Sequence, residues 1–216
     1  VVLKKNCIEN LIYAIKKYKS SAIVSPLFFE NNKYSQYDHY TLKLNSKKEI
    51  VNTNTTYKNY TIPSGDFCVE AINSTAFLID VSKVKEIGGW DEYYYTYLED
   101  IDFSYRIRCA NYEIIKIKDA KIDHIGFGSH DKEKSHKMNE KRIFNFTKSS
   151  IYFDFKNRSK LFFFKKVVIN IIKYFLKLLI NVVLLRKKNL NENLIKIKAN
   201  YYFFVKDKLG ITNNQI

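Results

Sequence analysis

The chain has 216 residues, of which 46% are hydrophobic and 16% aromatic, and this composition excludes an intrinsically disordered protein. The formal net charge is +15, and residues 156–216 supply +12 of it through fourteen Lys and Arg against two Asp and Glu, which indicates a nearly neutral body with a tail attracted to anionic surfaces. The cysteines Cys7, Cys68 and Cys109 show neither CxxC nor metal-type spacing, a pattern typical of a reducing cytoplasm.

The beginning of the chain predicts a helix followed by a strand. Asn6 and Glu9 have the spacing of a capping box, and apolar residues at helical spacing then predict an amphipathic helix over residues 7–19. Residues 22–26 predict a short buried strand that ends at Pro26. A helix and a strand within so short a stretch are typical of an α/β protein.

The next part of the chain is less regular. Residues 28–62 are polar and alternate only loosely, which predicts a hairpin or long loop at the surface. Residues 76–79 predict a second buried strand. Asp80 or Ser82 can cap a short helix that ends at Gly88.

A second helix-strand pair follows. Residues 97–110 predict a helix with acids in its first turn and Arg106 and Arg108 in its last, which suits the helix dipole at both ends. Asn111 is expected in a left-handed conformation after that helix. Residues 112–118 alternate as a strand does, and another short strand is expected to lead to residue 124.

The last part of the chain predicts helices over residues 137–155 and 160–188. In the second of these the polar residues fall within an arc of roughly 80° at 100° per residue, and almost all the others are aliphatic or aromatic. Lysines at its centre argue against a membrane-spanning helix and favour one that lies in the plane of a membrane surface. The alternative is a helix that packs on protein and turns its lysines to water. The polar positions are Lys166, Asn170, Lys173, Lys177, Asn181 and Lys188.

A continuous block of motifs lies in the middle of the chain. It reads Gly-Gly-Trp-Asp-Glu at residues 88–92, Tyr-Leu-Glu-Asp-Ile-Asp at 97–102, Tyr-Arg-Ile-Arg at 105–108 and Asn-Tyr at 111–112. In order and spacing this block resembles the family 2 glycosyltransferases, particularly their rhamnosyltransferase-like members. Those carry a Gly-Gly-Phe-Asp-Glu turn, a Glu-Asp-x-Asp motif, a helix with Tyr and Arg, and a Gly-Tyr turn.

Two later segments extend the resemblance to about residues 1–165. His-Ile-Gly-Phe-Gly-Ser at 124–129 is similar to the family's His-x-Gly-x-x-Ser element, and Asn157 with Arg158, after Tyr152, is similar to its aromatic and Arg-Asn stretch. The family's N-terminal nucleotide-binding strands and its Asp-x-Asp metal motif have no counterpart in this sequence.

The resemblance implies an α/β fold, more specifically a partial GT-A (nucleotide-diphospho-sugar transferase) fold. Residues 1–158 would form its acceptor-side part, and residues 159–216 a helical, basic, amphipathic extension. Since the sequence begins with neither Met nor a long apolar signal segment, we expect it to be part of a longer transferase.

Glycosyl transfer requires a base that accepts the proton of the acceptor hydroxyl. Asp100 is predicted at a helix N-terminus, where the dipole and free N–H groups stabilise a carboxylate, and the resemblance assigns the base role to the same residue. Glu99 would orient Asp100 or bind an acceptor hydroxyl. The resemblance also implies a divalent metal, Mn²⁺ or Mg²⁺, with His124 as a ligand, which would neutralise the departing diphosphate.

Four further residues are candidates for substrate binding. Trp90 could stack on a sugar ring or fill the core. Asp91 and Glu92 could shape their turn or hold the acceptor. Asp102 could bind substrate or pair with Arg106 on the face of the helix.

The expected partners are a nucleotide-sugar donor, a glycan or lipid-linked acceptor and an anionic membrane surface bound through residues 160–188, with no nucleic acid. The resemblance implies inversion at the anomeric carbon and a cytoplasmic protein that is peripheral on the inner face of the plasma membrane. Two alternatives stay open. One is an inactive transferase remnant, and the other is a non-catalytic basic module that binds a membrane surface or nucleic acid through the tail, with aromatics such as Tyr201, Tyr202 and Phe203.

Overall fold

The structure, a computed structural model, describes residues 1–35, 39–54, 62–125 and 135–204 and has an α/β fold. The chain divides into two compact units: unit 1 comprises Val1–Glu92 and Glu99–Ser129, and unit 2 comprises Tyr93–Leu98 and His130–Ile216. The chain therefore leaves unit 1 for six residues and returns to it. These units do not divide the chain at residue 158, the boundary expected from the sequence.

Unit 1 contains most of the strands. In chain order its elements are β1 (Val2–Leu3), α1 (Cys7–Lys17), β2 (Ser21–Glu30), β3 (Lys33–Tyr34), β4 (His39–Leu44), β5 (Ile50–Asn54), β6 (Phe67–Cys68), β7 (Ala71–Ile72), β8 (Leu78–Ile79), α2 (Val81–Glu86), α3 (Glu99–Cys109) and β9 (Glu113–Asp123).

A mixed sheet lies at the centre of unit 1. The two long strands β2 and β9 pair in parallel, from Ser21 opposite Glu113 to Phe29 opposite Asp123. The short strands β1 and β6 pair with β9, and β3 and β8 pair with β2, all of them antiparallel. A second sheet has the order β5-β4-β7.

Both faces of the parallel pair are buried. Val24 and Ile115 belong to a core with Leu11 of α1, whereas the preceding residues Ile23 and Ile114 belong to a core with residues of α2 and α3. Successive strand residues point to opposite faces, so strands covered on both sides need continuous apolar sequence. This layering places the N-terminus of α3, which carries the Glu-Asp-Ile-Asp motif, within unit 1.

Two local predictions near the start of the chain were wrong. Asn6 precedes α1 with φ 59° and makes no side-chain capping bond, because the capping box requires an extended N-cap residue. Pro26 does not end its strand. It lies inside β2, next to a shift in the pairing register with β9 between Pro26 and Leu27.

Several other predictions were confirmed. The helix near residues 7–19 is α1. Of residues 28–62, expected as a hairpin or long loop at the surface, part forms the β4–β5 hairpin, whereas residues 28–30 continue β2 and Leu42 is buried. Asp80 caps α2 by accepting a hydrogen bond from the backbone N–H of Ser82 at 3.0 Å, and Gly88 follows the helix with φ 81°. Asn111 follows α3 in the left-handed region with φ 65°. Two short strands were expected after it, whereas the structure has the single strand β9.

Unit 2 is helical, with α4 (Ser135–Asn157), α5 (Lys160–Val183) and α6 (Lys187–Tyr202). Its core is formed by Ile151, Phe163, Val167 and Phe203, against which Tyr93 of the Tyr93–Leu98 segment packs. The helix expected over residues 160–188 ends at Val183 and is followed by a turn, so Lys188 belongs to α6.

Most of the exposed surface of α5 is apolar. Some of the polar positions that were expected to face water are not exposed. Asn181 is buried, and Lys166 forms an ion pair with Asp154 of α4. Lys173 and Lys177 are exposed. The exposed large apolar side chains of α5, which we call the α5 apolar face, include Leu161, Phe164, Val168, Ile169, Ile172, Phe175, Leu176, Leu179, Ile180 and Val183. Within the described part of the chain, no helix combines the length and hydropathy needed to cross a bilayer.

Candidate active site

The first turn of α3 holds the acidic motif. Glu99 and Asp100 are the first two residues of the helix, where backbone N–H groups have no partner within the helix. Asp100 Oδ1 accepts a hydrogen bond from Ile101 N at 2.8 Å, and Oδ2 accepts one from Ser74 N at 3.4 Å. Asp100 is partly exposed.

The surroundings of Asp100 make its carboxylate a base suited to neutral pH. Burial, followed by the negative charge of Glu99, raises the pKa of Asp100 to about 7, although the backbone hydrogen bonds from Ile101 and Ser74 partly oppose the shift. A base acts best when its pKa lies near the working pH, because it is then ionised and still binds a proton strongly. The sequence predicted the position of Asp100, but from the dipole alone it predicted no raised pKa.

An Asx turn presents Ser74 to this carboxylate. Asn73 Oδ1 accepts hydrogen bonds from Thr75 N at 3.1 Å and from Thr75 Oγ1 at 2.6 Å. The turn directly follows β7, so the second sheet sets its position. This turn was not predicted from the sequence, although the run Asn-Ser-Thr after a short apolar stretch is a turn signal.

Tyr40 of β4 completes the site and was also missed. Its hydroxyl accepts a hydrogen bond from Asn73 Nδ2 at 3.1 Å. Burial, followed by the charges of Asp100 and Glu99, raises the pKa of Tyr40 above its ordinary value, so the phenol stays protonated. Glu99 Oε2 is buried and has no hydrogen-bond partner among the described residues, which suits an oxygen that awaits a hydroxyl donor from a ligand.

Two strained residues precede Glu99. Tyr97 and Leu98 have φ values of 69° and 66°, a region that residues with a Cβ rarely adopt. Within unit 2 the segment is held by Ser149 Oγ, which donates to Thr96 O at 2.9 Å, and by Arg142 Nε, which donates to the Tyr97 hydroxyl at 3.2 Å. Such strain persists only where surrounding contacts hold it, and here it fixes the chain immediately before Glu99.

Asp102 lies in the interior of unit 1, where it binds Arg106 and so helps to hold the glycine turn in place. It is fully buried, and its Oδ2 accepts a hydrogen bond from Arg106 Nε at 2.9 Å. Arg106 also donates to the carbonyls of Ile87 at 2.9 Å and Gly89 at 2.5 Å. The pair therefore positions the Gly88-Gly89 turn, and direct contact between Asp102 and a substrate stays a prediction.

The other candidates in the glycine turn differ in exposure. Trp90 is 38% exposed and stacks on Phe103, with 3.8 Å between ring centroids. One face of its ring is thus occupied by the core, which favours the packing role for that face. Asp91 is partly exposed and Glu92 is exposed. Contact of Trp90, Asp91 or Glu92 with a sugar stays a prediction.

His124 lies at the end of β9 beside Glu30. Its Nδ1 lies 3.4 Å from Glu30 Oε1, and its backbone N–H donates to Phe29 O. No contact in the described residues joins His124 to Asp100, and those residues contain no cluster of three or more metal-ligating side chains. Among the described residues, His124 and Glu30 could supply two ligands for the divalent metal that the resemblance implies. That metal stays a prediction.

The remaining motif segments lie partly outside the described structure. Residues 126–129 of the His-x-Gly-x-x-Ser-like element are not among the described residues. Arg158, from the Arg-Asn-like stretch, donates to Asp154 Oδ1 at 3.1 Å at the end of α4 in unit 2. No protein-family model matches this sequence, and no curated protein matches it.

Proposed function

We propose that this chain is the acceptor-side part of a GT-A-type glycosyltransferase, with Asp100 as its catalytic base. The observation that carries the proposal is a partly exposed carboxylate at the N-terminus of α3 whose pKa is raised to about 7. The order and spacing of the motifs around it support the reaction class. The α/β fold with a mixed central sheet is compatible with a partial GT-A fold.

In the proposed reaction Asp100 accepts the proton of an acceptor hydroxyl while that oxygen attacks the anomeric carbon of the donor. The bond from that carbon to the nucleoside diphosphate breaks in the same step, and the diphosphate leaves with the bonding electrons. A single displacement of this kind inverts the anomeric configuration and needs no covalent enzyme intermediate. Asp100 then carries the proton, which it releases to solvent.

Neighbouring groups would position the acceptor. Glu99 Oε2 can accept a hydrogen bond from a second sugar hydroxyl, since no described residue occupies it. The protonated hydroxyl of Tyr40 can donate to an acceptor oxygen, because its pKa is raised. A bound divalent cation would neutralise charge on the departing diphosphate.

The proposal is tested by measuring nucleoside diphosphate release by the full-length gene product from UDP-glucose, UDP-N-acetylglucosamine and dTDP-rhamnose, with membrane glycolipid extract as acceptor. Asp100→Asn should lower turnover by at least about a hundredfold with an unchanged circular dichroism spectrum, because a positioned base contributes about 10²–10⁴-fold. Glu9→Gln, on α1, is the control and should keep full activity. Undiminished turnover by Asp100→Asn would refute the base assignment, and a wild type without turnover on any donor would favour an inactive remnant.

A second proposal concerns the tail. We infer that the α5 apolar face attaches the chain to an anionic membrane surface on the cytoplasmic side. Ile172, Phe175 and Leu176 are each more than half exposed, while Lys173 and Lys177 beside them can reach acidic headgroups. A patch of this kind rarely stays uncovered in a monomeric protein. Co-sedimentation with phosphatidylglycerol-containing vesicles tests the inference, and absence of binding at low salt would contradict it.

A further inference from the structure

A cavity of about 510 Å³ lies in unit 2 between α4, α6 and the Tyr93–Leu98 segment. Its volume falls within the range of about 300–1,000 Å³ that small-molecule sites occupy. Its lining includes none of Tyr40, Ser74, Glu99 and Asp100.

The charge of this cavity favours an anion. Lys141, Lys148 and Lys198 line it, against the single carboxylate of Glu140. Glu140 Oε1 already accepts a hydrogen bond from Asn191 Nδ2 of α6. Three ammonium groups around one partly satisfied carboxylate leave a net positive site, and an ammonium group binds phosphate as a compact charge.

Lys148 is held between two aromatic rings. Its Nζ lies 4.8 Å from the ring centroid of Tyr93 and 5.0 Å from that of Tyr202, on the opposing element α6. The side chain is only partly exposed, so much of its conformational freedom is already lost before a ligand arrives. A cation ordered in advance binds an anion at a lower entropic cost.

The exposed aromatic ring in the cavity lining is that of Tyr95. Tyr95 lines the cavity and is 90% exposed, although a tyrosine of the core would be buried. The ring of Tyr93 is already in contact on both sides, because Tyr152 stacks on it at 3.8 Å between centroids and Lys148 Nζ lies over it at 4.8 Å. A sugar ring stacks on one aromatic face, whereas a nucleobase gains most from a slot between two parallel rings. The lining therefore suits a sugar.

We propose that this cavity binds a phosphorylated sugar, with the phosphate on Lys141, Lys148 and Lys198 and the sugar ring against Tyr95. The same chemistry is presented by a soluble sugar phosphate and by a sugar linked through phosphate to a lipid. The proposal concerns unit 2 alone and does not rest on the chemistry of Asp100.

Isothermal titration of the full chain with glucose 1-phosphate tests the proposal. Saturable binding is expected, and Lys148→Gln and Lys198→Gln should each weaken it by about tenfold, the typical effect of one charge-assisted hydrogen bond. Lys198 is exposed, so its variant carries little risk of misfolding. Lys137→Gln, an exposed lysine of α4 outside the cavity, is the matched control and should bind as the wild type does.

The role of the ring is tested separately. Tyr95→Ala should weaken glucose 1-phosphate without changing the affinity for inorganic phosphate, whereas Tyr201→Ala, another exposed tyrosine outside the cavity, should change neither. Polyprenyl phosphoglucose in zwitterionic vesicles distinguishes the sources: tighter binding than glucose 1-phosphate supports a lipid-linked ligand, and equal binding supports a soluble one. Asp100→Asn should bind glucose 1-phosphate normally, so failure of this proposal is distinct from failure of the transferase proposal.

Three results would overturn the inference. The first is the absence of saturable binding of glucose 1-phosphate. The second is an equal loss of affinity in Lys137→Gln and Lys198→Gln, which would indicate non-specific attraction to a basic surface. The third is tighter binding of uridine 5′-monophosphate than of glucose 1-phosphate, which would exclude the sugar as the recognised ring.

Discussion

At the scale of the residue, Asp100 combines two properties that usually conflict. A helix N-terminus stabilises the ionised form of a carboxylate, whereas burial and a neighbouring carboxylate stabilise the protonated form. In this structure burial is the largest effect, and the pKa rises to about 7. A folded site that disfavours the ionised form of a carboxylate lowers the stability of the protein at neutral pH, and such a cost is typical of catalytic residues.

This cost predicts that Asp100→Asn stabilises the protein. The pKa of Asp100 is about 7 when folded and about 3.9 when unfolded, so the folded state binds protons more tightly and stability falls as pH rises from about 4 to about 7. At pH 8 the variant should gain about 1–3 kcal/mol in the free energy of unfolding, less than the full shift because the side chain is partly exposed.

Urea unfolding at two pH values checks this prediction. The gain should be present at pH 8 and absent at pH 4, where Asp100 is protonated in the folded wild type. Asp119→Asn, at an exposed carboxylate, should change stability by less than about 0.5 kcal/mol at either pH. A variant that is less stable than the wild type at pH 8 would show that the folded site does not disfavour ionised Asp100.

Glu99 affects the pKa of the Asp100 carboxylate. Its negative charge raises the pKa of Asp100, so Glu99→Gln should lower that pKa. Transfer requires ionised Asp100, and the acid limb of the profile of kcat/KM against pH should therefore move to lower pH in the variant. The glutamine keeps the shape of the side chain and can still accept a hydrogen bond. An acid limb that stays in place would mean that Asp100 does not govern it.

The sequence identified Asp100 and Glu99 as site residues, but it did not identify Tyr40, Asn73 or Ser74. Asp100 could be found because helix capping, dipole and motif order are local features of the chain. Tyr40 lies in a stretch with weak alternation and reaches the site only through the pairing of β4 with β7, in which Tyr40 lies opposite Ala71. Asn73 follows from the same pairing. Long-range strand pairing of this kind leaves no periodic signal in the sequence.

At the scale of the element, α3 shows where local prediction fails. Its charges, acidic in the first turn and basic in the last, predicted a helix from residue 97, but the helix begins at Glu99 because Tyr97 and Leu98 are left-handed. No propensity predicts two such residues in a row. Their conformation is imposed by the contacts of the Tyr93–Leu98 segment with α4.

The α5 helix leads to a sharper prediction. Ile172 and Leu176 are each 53% exposed, so replacing both with Glu should leave the fold intact while placing two charges on the α5 apolar face. Binding to vesicles that contain phosphatidylglycerol should fall by at least about tenfold, because apolar burial is lost and like charges repel. Ile8→Glu, at a residue of α1 that is also 53% exposed, is the matched control.

Truncation after Arg158 would also remove the α5 apolar face, but it would be a weaker test of the membrane proposal than substitution. Phe163, Val167 and Phe203 form the core of unit 2, so truncation would expose new apolar surface and alter binding for unrelated reasons. If the double variant binds as tightly as the wild type, the α5 apolar face is not the membrane contact and packs on protein.

At the scale of the whole molecule, the alternation of helix and strand predicted the α/β class, and the sequence placed a boundary at residue 158, but it did not predict that the Tyr93–Leu98 segment belongs to unit 2. Tyr93–Leu98 belongs to unit 2 because of contacts made far along the chain, such as the stacking of Tyr93 on Tyr152. A sequence pattern covers one element at a time, and it cannot reveal that a short segment leaves one core and joins another.

The salt dependence of binding distinguishes the hypothesis of a membrane-bound tail from that of a nucleic-acid-binding tail. Residues 156–216 carry +12 of the net +15, which would attract either a lipid surface or a nucleic acid at low salt. Nucleic-acid binding by lysines depends on counterion release and falls steeply with salt, whereas burial of the α5 apolar face in lipid does not. Raising NaCl from 0.1 to 0.5 M should therefore weaken binding to phosphatidylglycerol vesicles without abolishing it, and should release a 20-base-pair DNA probe completely. Co-sedimentation and fluorescence anisotropy measure the two cases. Complete release from vesicles at 0.5 M NaCl would mean that charge alone holds the tail, and the basic-module alternative would then be favoured.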